Sequence, residues 1–136
     1  MVYLTRRETF NAAHKLYNNK WTAEQNTEVF GKCANKNWHG HNYELFITVK
    51  GKPNLDTGFI MNVKDLSRLI KKEITEKLDH KNLNLDVDII PKTMMPSTEN
   101  LAIIIWNILN PLITDAQLHC VKLVETENIF VEYYGE

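Results

Sequence analysis

Two histidines separated by one glycine are the first group in this sequence that could carry chemistry. If His39-Gly40-His41 lies in a β-strand, both imidazoles point to one side, about 7 Å apart along the strand. At that spacing both can reach one metal ion, although two solvated histidines explain the motif alone equally well. The metal interpretation gains from their position, because they continue an apolar row from Tyr43 to Val49. Partly buried imidazoles on such a row are costly unless a ligand or proton partner satisfies them.

His14 offers a third imidazole. It follows a strand predicted over residues 2–10 and would lie at its end, beside the histidine pair if the first two strands form a hairpin. Three neutral imidazoles suit zinc. A three-histidine site leaves the fourth tetrahedral position for water or substrate, which is the catalytic type of zinc site.

Two further segments carry groups suited to proton transfer. Cys33 lies in a polar loop beside Lys32, where a nearby cation and metal can depress its pKa toward a reactive thiolate. A fourth zinc ligand and an ordinary loop cysteine are the alternatives. Asp79-His80 follows a predicted helix, whose C-terminal dipole would raise the histidine pKa toward neutrality, as suits a proton donor. From that dipeptide alone, capping of the helix end is the preferred interpretation.

Glu125 places a carboxylate on the strand face of Val121 and Leu123. An inward carboxylate without an obvious cation can bind an N–C–N edge through two hydrogen bonds, and pairing with a nearby Lys or Arg explains it equally well. Glu127 has the same parity and competes with it. Cys120, inside the same strand pattern, is predicted to be a small core residue.

The elements that position these residues follow from hydrophobic periodicity. The clearest strand begins at His39 and alternates to Val49, and a short strand at 59–61 is its predicted hairpin partner. Residues 17–38 show no apolar period and predict a long irregular loop. Residues 120–134 alternate in two pieces, broken near 127–128, and predict a closing hairpin.

Two helices are predicted between the strand pairs. Asn62 caps the first, which ends just before Asp79, and Ser97 or Thr98 caps the second, with Glu99 near its first turn. The order ββααββ predicts an α+β fold.

Composition limits the classes of function. The chain has 136 residues, of which 43% are hydrophobic, with 16 Lys+Arg against 17 Asp+Glu, so 16 − 17 gives a net charge of −1. The length predicts one domain over residues 1–136. The near-neutral charge and the lack of a basic stripe argue against nucleic-acid binding. The absence of a signal peptide and of a long apolar stretch argues against a membrane segment and predicts a cytoplasmic location. Two cysteines make no disulfide framework.

Six ordered motifs together resemble the 6-pyruvoyltetrahydropterin synthase family, which includes the bacterial 6-carboxytetrahydropterin synthases. The motifs are FNAAH at 10–14, FGKC at 30–33, HGHNY at 39–43, LDHKNL at 78–83, STEN at 97–100, and VET at 124–126 ahead of YGE at 134–136. The resemblance implies a tunnelling fold, in which ββααββ subunits join their sheets into a barrel. The typical assembly is a hexamer of two trimers with active sites at subunit interfaces, and closing a barrel removes exposed sheet edges.

The resemblance also implies a role for each candidate residue. The implied zinc ligands are the three imidazoles, of His14, His39 and His41. Cys33 looks like a thiolate base, and Asp79 and His80 look like the proton-relay pair that completes a triad with it. Glu125 looks like the anchor for the 2-amino and N3–H edge of a pterin. The segment implied to line the same pocket comprises Ser97, Thr98 and Glu99.

The substrate that the resemblance implies is 7,8-dihydroneopterin triphosphate, and the reaction is that of a carbon–oxygen lyase. Zinc would bind the side-chain hydroxyls so that Cys33 could remove an activated proton. Elimination of triphosphate and an internal rearrangement give 6-pyruvoyltetrahydropterin without an external redox cofactor. The carboxy branch instead releases acetaldehyde and leaves 6-carboxytetrahydropterin, on the route to queuosine.

Features of the loop before His39 bear on the branch. The six-residue step from Cys33 to His39 favours the pyruvoyl branch. Trp38 departs from the glycine usual in animal members and borders a ligand, which affects the shape of the substrate pocket. The sequence does not identify the residues that bind the triphosphate. Three lysines are equal candidates: Lys15, Lys20 and Lys32.

Two other classes of function remain as alternatives. One is a non-catalytic pterin-binding protein on the same scaffold, which would have no need of Cys33, Asp79 and His80. The other is a related tunnelling-fold aldolase or epimerase acting on dihydroneopterin, which does not need three zinc histidines.

Overall fold

The fold is a five-stranded sheet with helices packed against one face. The computed structural model describes residues 1–136. The strands are β1 (Val2–His14), β2 (His39–Gly51), β3 (Lys81–Asn82), β4 (Gln117–Thr126) and β5 (Ile129–Tyr133). The helices are α1 (Ala23–Phe30), α2 (Val63–Ile70), α3 (Glu76–Leu78) and α4 (Thr98–Leu109). The strand order is β3-β1-β2-β4-β5. The prediction of an α+β fold is confirmed.

The hairpin of β1 and β2 is the longest pairing in the sheet. The two strands are antiparallel along their whole length, from Val2 opposite Gly51 to His14 opposite His39. The predicted strand at 59–61 is wrong, because those residues form a bend and no strand. The reason lies in the sheet, where β1 and β4 already pair with the two edges of β2 and leave no place for a third partner.

The prediction of an irregular loop over residues 17–38 is also wrong, because α1 and a 3₁₀ turn (Gly31–Ala34) lie within it. Thr22 caps α1 and forms a capping box with Gln25. Asn26 is the one buried residue of α1. A helix that buries a single polar residue has no apolar stripe, so hydrophobic periodicity could not reveal it.

Both predicted long helices are confirmed. Asn62 caps α2, which continues through a π turn (Lys71–Thr75) into α3 and ends before Asp79. Ser97 caps α4. Their apolar faces pack on the inward face of the sheet. Fully buried members of this core include Leu45, Ile47, Leu66, Ile70, Ile74, Leu101, Ile105 and Leu123. None of the helices combines the length and the hydrophobicity that spanning a membrane requires.

Two details of the sheet were not predicted. The two-residue strand β3 runs parallel to β1 and pairs with Ala12 and Ala13. In addition, an irregularity in the pairing of β2 with β4 occurs between Thr48 and Val49.

Cys120 is buried as predicted but lies outside the main apolar cluster, against Tyr134. The predicted hairpin of β4 and β5 is confirmed.

A small polar cluster fastens α2 to β1. Glu8 accepts hydrogen bonds from the Ser67 hydroxyl at 2.6 Å and from the Arg6 Nε at 2.9 Å. Burial raises the pKa of the Glu8 carboxyl, but the bonds from Ser67 and Arg6 outweigh it and leave the pKa below its ordinary value. A lowered folded-state pKa stabilises the fold above the unfolded pKa, and this contribution disappears as the pH falls through the folded pKa.

We expect Ser67→Ala to lower the free energy of unfolding by about 1–2 kcal/mol at neutral pH, because a charged acceptor loses a donor. The loss should shrink as the pH falls from neutrality through the folded-state pKa of Glu8 and the carboxyl becomes protonated. Urea unfolding over this pH range measures both effects, with Thr27→Ala in the exposed part of α1 as a control. A loss of the same size at every pH would instead indicate a packing defect.

Candidate active site

Three histidines converge at the end of the β1–β2 hairpin, on the inward face. The register places His14 opposite His39, and His41 opposite Ala12. The ring centroids of His14 and His39 are 4.5 Å apart, those of His14 and His41 5.1 Å, and those of His39 and His41 4.9 Å. One ligand nitrogen from each ring lies within 4.8 Å of the other two. The hairpin inferred from the sequence therefore brings all three predicted ligands together.

The protonation of these imidazoles fits a metal ion. His14 Nδ1 donates to the Pro96 carbonyl oxygen at 2.8 Å, which leaves Nε2 as the free acceptor. That nitrogen, both ring nitrogens of His39 and Nε2 of His41 are buried and have no hydrogen-bond partner. Burial lowers the pKa of all three histidines, so they are neutral at neutral pH. Neutral imidazoles with free lone pairs are what metal binding requires, and this cluster could hold an ion.

Glu125 closes the inner side of the cluster. Its Oε1 lies 3.4 Å from Nε2 of His14 and 3.4 Å from Nε2 of His41. Because burial lowers the histidine pKa values, these contacts join a carboxylate to neutral rings and are not ion pairs. The same oxygen accepts a hydrogen bond from the Thr98 hydroxyl at 3.0 Å. Glu127, the competing candidate, lies exposed in the β4–β5 turn.

Tyr43 forms the floor beneath the histidines. Its ring stacks on Phe10 at 4.8 Å and lies 5.5 Å from the ring of His41. Burial, followed by the charge of Glu125, raises the pKa of the Tyr43 hydroxyl far above its usual value, so it stays a neutral phenol. The alternation of β2 indicated its burial, but residue type and spacing do not reveal that its hydroxyl lies beside the cluster without a partner.

Asp79 and His80 lie at the outer edge of β1. Asp79 Oδ1 accepts from the backbone N–H of Asn11 at 2.9 Å, and Oδ2 lies 2.9 Å from Nδ1 of His80. The bond from Asn11, with help from His80, lowers the pKa of the Asp79 carboxyl. The backbone N–H of His80 donates to the Asn11 carbonyl at 2.7 Å. The Asp79 side chain therefore binds β1 and orients the His80 ring. Asp79 is also the C-cap of α3, as the dipeptide alone favours, and its backbone N–H donates to the Thr75 carbonyl at 2.8 Å.

Cys33 lies in the 3₁₀ turn, half-buried, and its carbonyl oxygen accepts from the backbone N–H of Leu16 at 2.7 Å. This bond ties the turn to the segment that follows His14. No hydrogen bond or ion pair joins Cys33 to Asp79 or His80. A single chain therefore places these three candidates around the end of β1 without linking the thiol to the pair.

The three predicted pocket residues at the start of α4 differ in their contacts. Thr98 is buried and bonds Glu125. Ser97 accepts from the backbone N–H of Asn100 at 3.3 Å as the helix cap, and Glu99 is exposed in the first turn without an ion pair. Of the three predicted pocket residues, Thr98 alone contacts Glu125 within the chain.

The Pro96 carbonyl is the site group that sequence reasoning missed. Every residue has a backbone carbonyl, so residue type does not show which one accepts a hydrogen bond. The one signal is its place immediately before the Ser97 cap, where the chain turns into α4.

Together, the fold and the cluster define an α+β protein with a three-histidine cluster that could hold a metal ion, between a hairpin and a half-buried carboxylate. The sequence pattern of the family described as 6-pyruvoyl tetrahydropterin synthase matches residues 3–136. The chain therefore belongs to the 6-pyruvoyl tetrahydropterin synthase family.

Individual relatives support the same assignment. A 6-pyruvoyl tetrahydrobiopterin synthase from Dictyostelium discoideum is 47% identical over 135 residues, covering 99% of this chain and 97% of the relative. The structure of Caenorhabditis elegans 6-pyruvoyl tetrahydropterin synthase superimposes with a TM-score of 0.91 at 32% identity, covering 99% of this chain and 96% of that one. A 6-carboxy-5,6,7,8-tetrahydropterin synthase from Rickettsia typhi is 30% identical over 150 residues, covering 97% and 99%.

Proposed function

We propose that this chain is a zinc-dependent carbon–oxygen lyase that converts 7,8-dihydroneopterin triphosphate to 6-pyruvoyltetrahydropterin and triphosphate. The observation that carries the proposal is the convergence of three neutral imidazoles beside Glu125, each with a buried ring nitrogen that has no hydrogen-bond partner. Membership of the synthase family supplies the substrate class. The chain would then act in tetrahydrobiopterin synthesis.

Three imidazoles from His14, His39 and His41 would hold the zinc, because nitrogen donors in this number leave a coordination position for substrate. When bound, the ion supplies Lewis acidity to a substrate hydroxyl. The Pro96 carbonyl fixes the ring of His14 and selects the tautomer that presents Nε2 to the ion.

Glu125 would anchor the pterin ring. Its carboxylate can accept two N–H bonds from an amidine-like edge, and the Thr98 hydroxyl already holds it in place at 3.0 Å. A ring held there lies beside the histidines, because the same carboxylate oxygen is 3.4 Å from two of them. Ser97 shapes the same pocket as the α4 cap, and we assign Glu99 to its rim.

Cys33 would act as the base and the Asp79–His80 pair as the proton relay. As a thiolate, Cys33 takes a proton from a side-chain carbon, and the C–O bond to triphosphate breaks with its electron pair leaving on the anion. Asp79 holds His80 through Nδ1, which leaves Nε2 of His80 to exchange protons. These steps conserve the redox state of the whole substrate, so no external redox cofactor is needed.

The separation of Cys33 from Asp79 and His80 supports an assembly in which neighbouring subunits complete the triad. We propose a tunnelling-fold homohexamer of two trimers, with sheets joined into a barrel and active sites at subunit interfaces. The exposed side chains of Ile129 and Phe130 on the edge strand β5 support this, because barrel closure would cover them. We also propose that residues 1–136 form one domain. A cytoplasmic location stays a prediction from the sequence.

The carboxy branch is the second candidate, and the Rickettsia typhi relative is the observation that favours it. That branch would use the same residues and release acetaldehyde with 6-carboxytetrahydropterin. The pyruvoyl branch is preferred because the matching relative has 47% identity against 30%. A non-catalytic pterin-binding protein is less favoured, because Cys33, Asp79 and His80 are all present.

Product analysis tests the proposal. The zinc-loaded protein is incubated with 7,8-dihydroneopterin triphosphate, and pterin products and triphosphate are identified by mass spectrometry. A 6-pyruvoyl product is expected. The pair of 6-carboxytetrahydropterin and acetaldehyde would move the chain to the other branch, and ligand binding without turnover would leave only pterin binding.

We expect Glu125→Gln to raise KM by about tenfold or more, because a charge-assisted acceptor becomes a neutral amide that can accept through only one atom. Metal content should be unchanged, because Glu125 is assigned to substrate and not to zinc. Steady-state kinetics and elemental analysis measure the two quantities, and Glu127→Gln in the exposed turn is the matched control. Loss of zinc from Glu125→Gln would reassign the carboxylate as a fourth ligand.

A further inference from the structure

A second cavity opens beside the metal cluster and carries uncompensated positive charge. We call it the lysine cavity; its volume is about 640 Å³, and its wall includes Lys15, Tyr17, Lys20, Trp38, Asn84 and Lys92. No acidic side chain lines it. None of its three lysines forms an ion pair anywhere in the chain, whereas the groove between Arg7 and Asn42 is neutralised by Glu44 and Asp79.

The lysine cavity adjoins the histidines at three points. Lys15 directly follows His14, Trp38 directly precedes His39, and Pro96 in the cavity wall accepts the His14 ring hydrogen bond. A ligand whose reacting carbon lies at the metal cluster can therefore extend a charged tail into the cavity.

An aromatic wall holds one of the cations in place. Lys15 Nζ lies 4.8 Å from the ring centre of Trp38 and 5.6 Å from that of Tyr17, both within the range of a cation–π contact. The Lys15 backbone is fixed as well, because its N–H donates to Asn84 Oδ1 at 2.9 Å and its carbonyl accepts from Asn84 Nδ2 at 3.1 Å. On another part of the wall, Lys92 Nζ donates to the Leu85 carbonyl at 3.1 Å. Two of the three ammonium groups are thus held by their surroundings.

The backbone of Trp38 adds a second indication. Its φ of 62° lies in the left-handed region, where a bulky side chain is an outlier. Its indole N–H is buried and has no acceptor. Strain of this kind persists where the surroundings impose it, and such positions cluster at ligand sites.

We propose that the lysine cavity binds a polyphosphate chain, and that Trp38 is a positioning residue that aims the Lys15 ammonium at it. Three lysines without acidic neighbours select an anion of several charges over a neutral polyol. This inference rests on the proposed function for the identity of its ligand, the triphosphate of the substrate. The proposal assigns the phosphate contacts to Lys15, Lys20 and Lys92. Lys32 is excluded because it does not line the cavity.

Inorganic triphosphate is the probe for the test. Its dissociation constant is measured by calorimetry on the metal-loaded protein, with metal retention checked after each titration. We expect Lys15→Gln and Lys92→Gln each to weaken binding by about tenfold, because each removes a charged donor. Lys52→Gln, in the turn after β2, is the matched control and should bind as the unmodified protein does. Equal affinity in all variants, or no binding at all, would overturn the proposal.

A double-mutant cycle tests the role of Trp38. Trp38→Gly should weaken triphosphate binding severalfold, and Trp38→Phe should restore it, because phenylalanine keeps an aromatic face for the ammonium. In the Lys15→Gln background, Trp38→Gly should have no further effect on triphosphate affinity. An additive effect would show that Trp38 does not act through Lys15.

The same variants separate this inference from the proposed function. If Lys15→Gln turns over the substrate with an unchanged KM, the proposed lyase function stands and the proposed phosphate site is wrong. If triphosphate binding depends on the lysines but no pterin is turned over, the proposed phosphate site stands and the proposed lyase function is wrong.

Discussion

His39→Ala is expected to lose the metal and to lower kcat by more than about 100-fold, because even the outer partners of metal ligands cost 10–100-fold when removed. His39 is the best of the three proposed ligands to replace. It lies at the beginning of β2 and is only partly buried, whereas His14 is 1% exposed and its loss would disturb the core. Elemental analysis and steady-state kinetics on the same sample measure both effects.

The matched control is His119→Ala. His119 lies in β4 against Tyr3 and Tyr134, outside the metal cluster, so its variant should keep full metal content and activity. Added zinc should raise the melting temperature of the unmodified protein, because a ligand that binds only the folded state stabilises it, by about 4 kcal/mol at 1,000 times its dissociation constant. His39→Ala should lose most of this rise. A full complement of metal in His39→Ala would show that the ion is held elsewhere.

The histidine cluster could be predicted from the sequence because its geometry is set by local rules. A spacing of two residues on a strand puts His39 and His41 on one face, and hairpin pairing brings the end of β1 opposite them. Helices α2 and α4 were predictable for a similar reason, since each buries a regular apolar face and begins at a capping residue.

Other features depend on tertiary structure and leave no periodic signal. Helix α1 buries only Asn26, whose amide bonds the backbone of Asn18 and Thr22, so its sequence resembles a polar loop. Strand β3 is two residues long and exists because β1 offers it an edge. The contact of Lys15 with Trp38 also depends on how two distant segments meet.

Cys33→Ala is expected to keep its zinc and its fold and to lower kcat by about 10²–10⁴-fold, the usual contribution of a general base. The half-buried position of Cys33 in the 3₁₀ turn makes the loss of one sulfur a small structural change. Cys120→Ala, which removes the other thiol, is the control and should retain activity. Loss of zinc from Cys33→Ala would instead identify Cys33 as a metal ligand.

Mixing two inactive variants tests where the triad is assembled. Cys33→Ala and His80→Ala each lack one member, and no hydrogen bond joins Cys33 to His80 within the chain. If each active site takes its cysteine from one subunit and its histidine from another, random reassembly gives about a quarter of the sites both groups, and activity returns to that fraction. If all three groups come from one chain, every site keeps a defect and mixing restores nothing. The recovered rate therefore reports whether Asp79 and His80 meet Cys33 across a subunit interface.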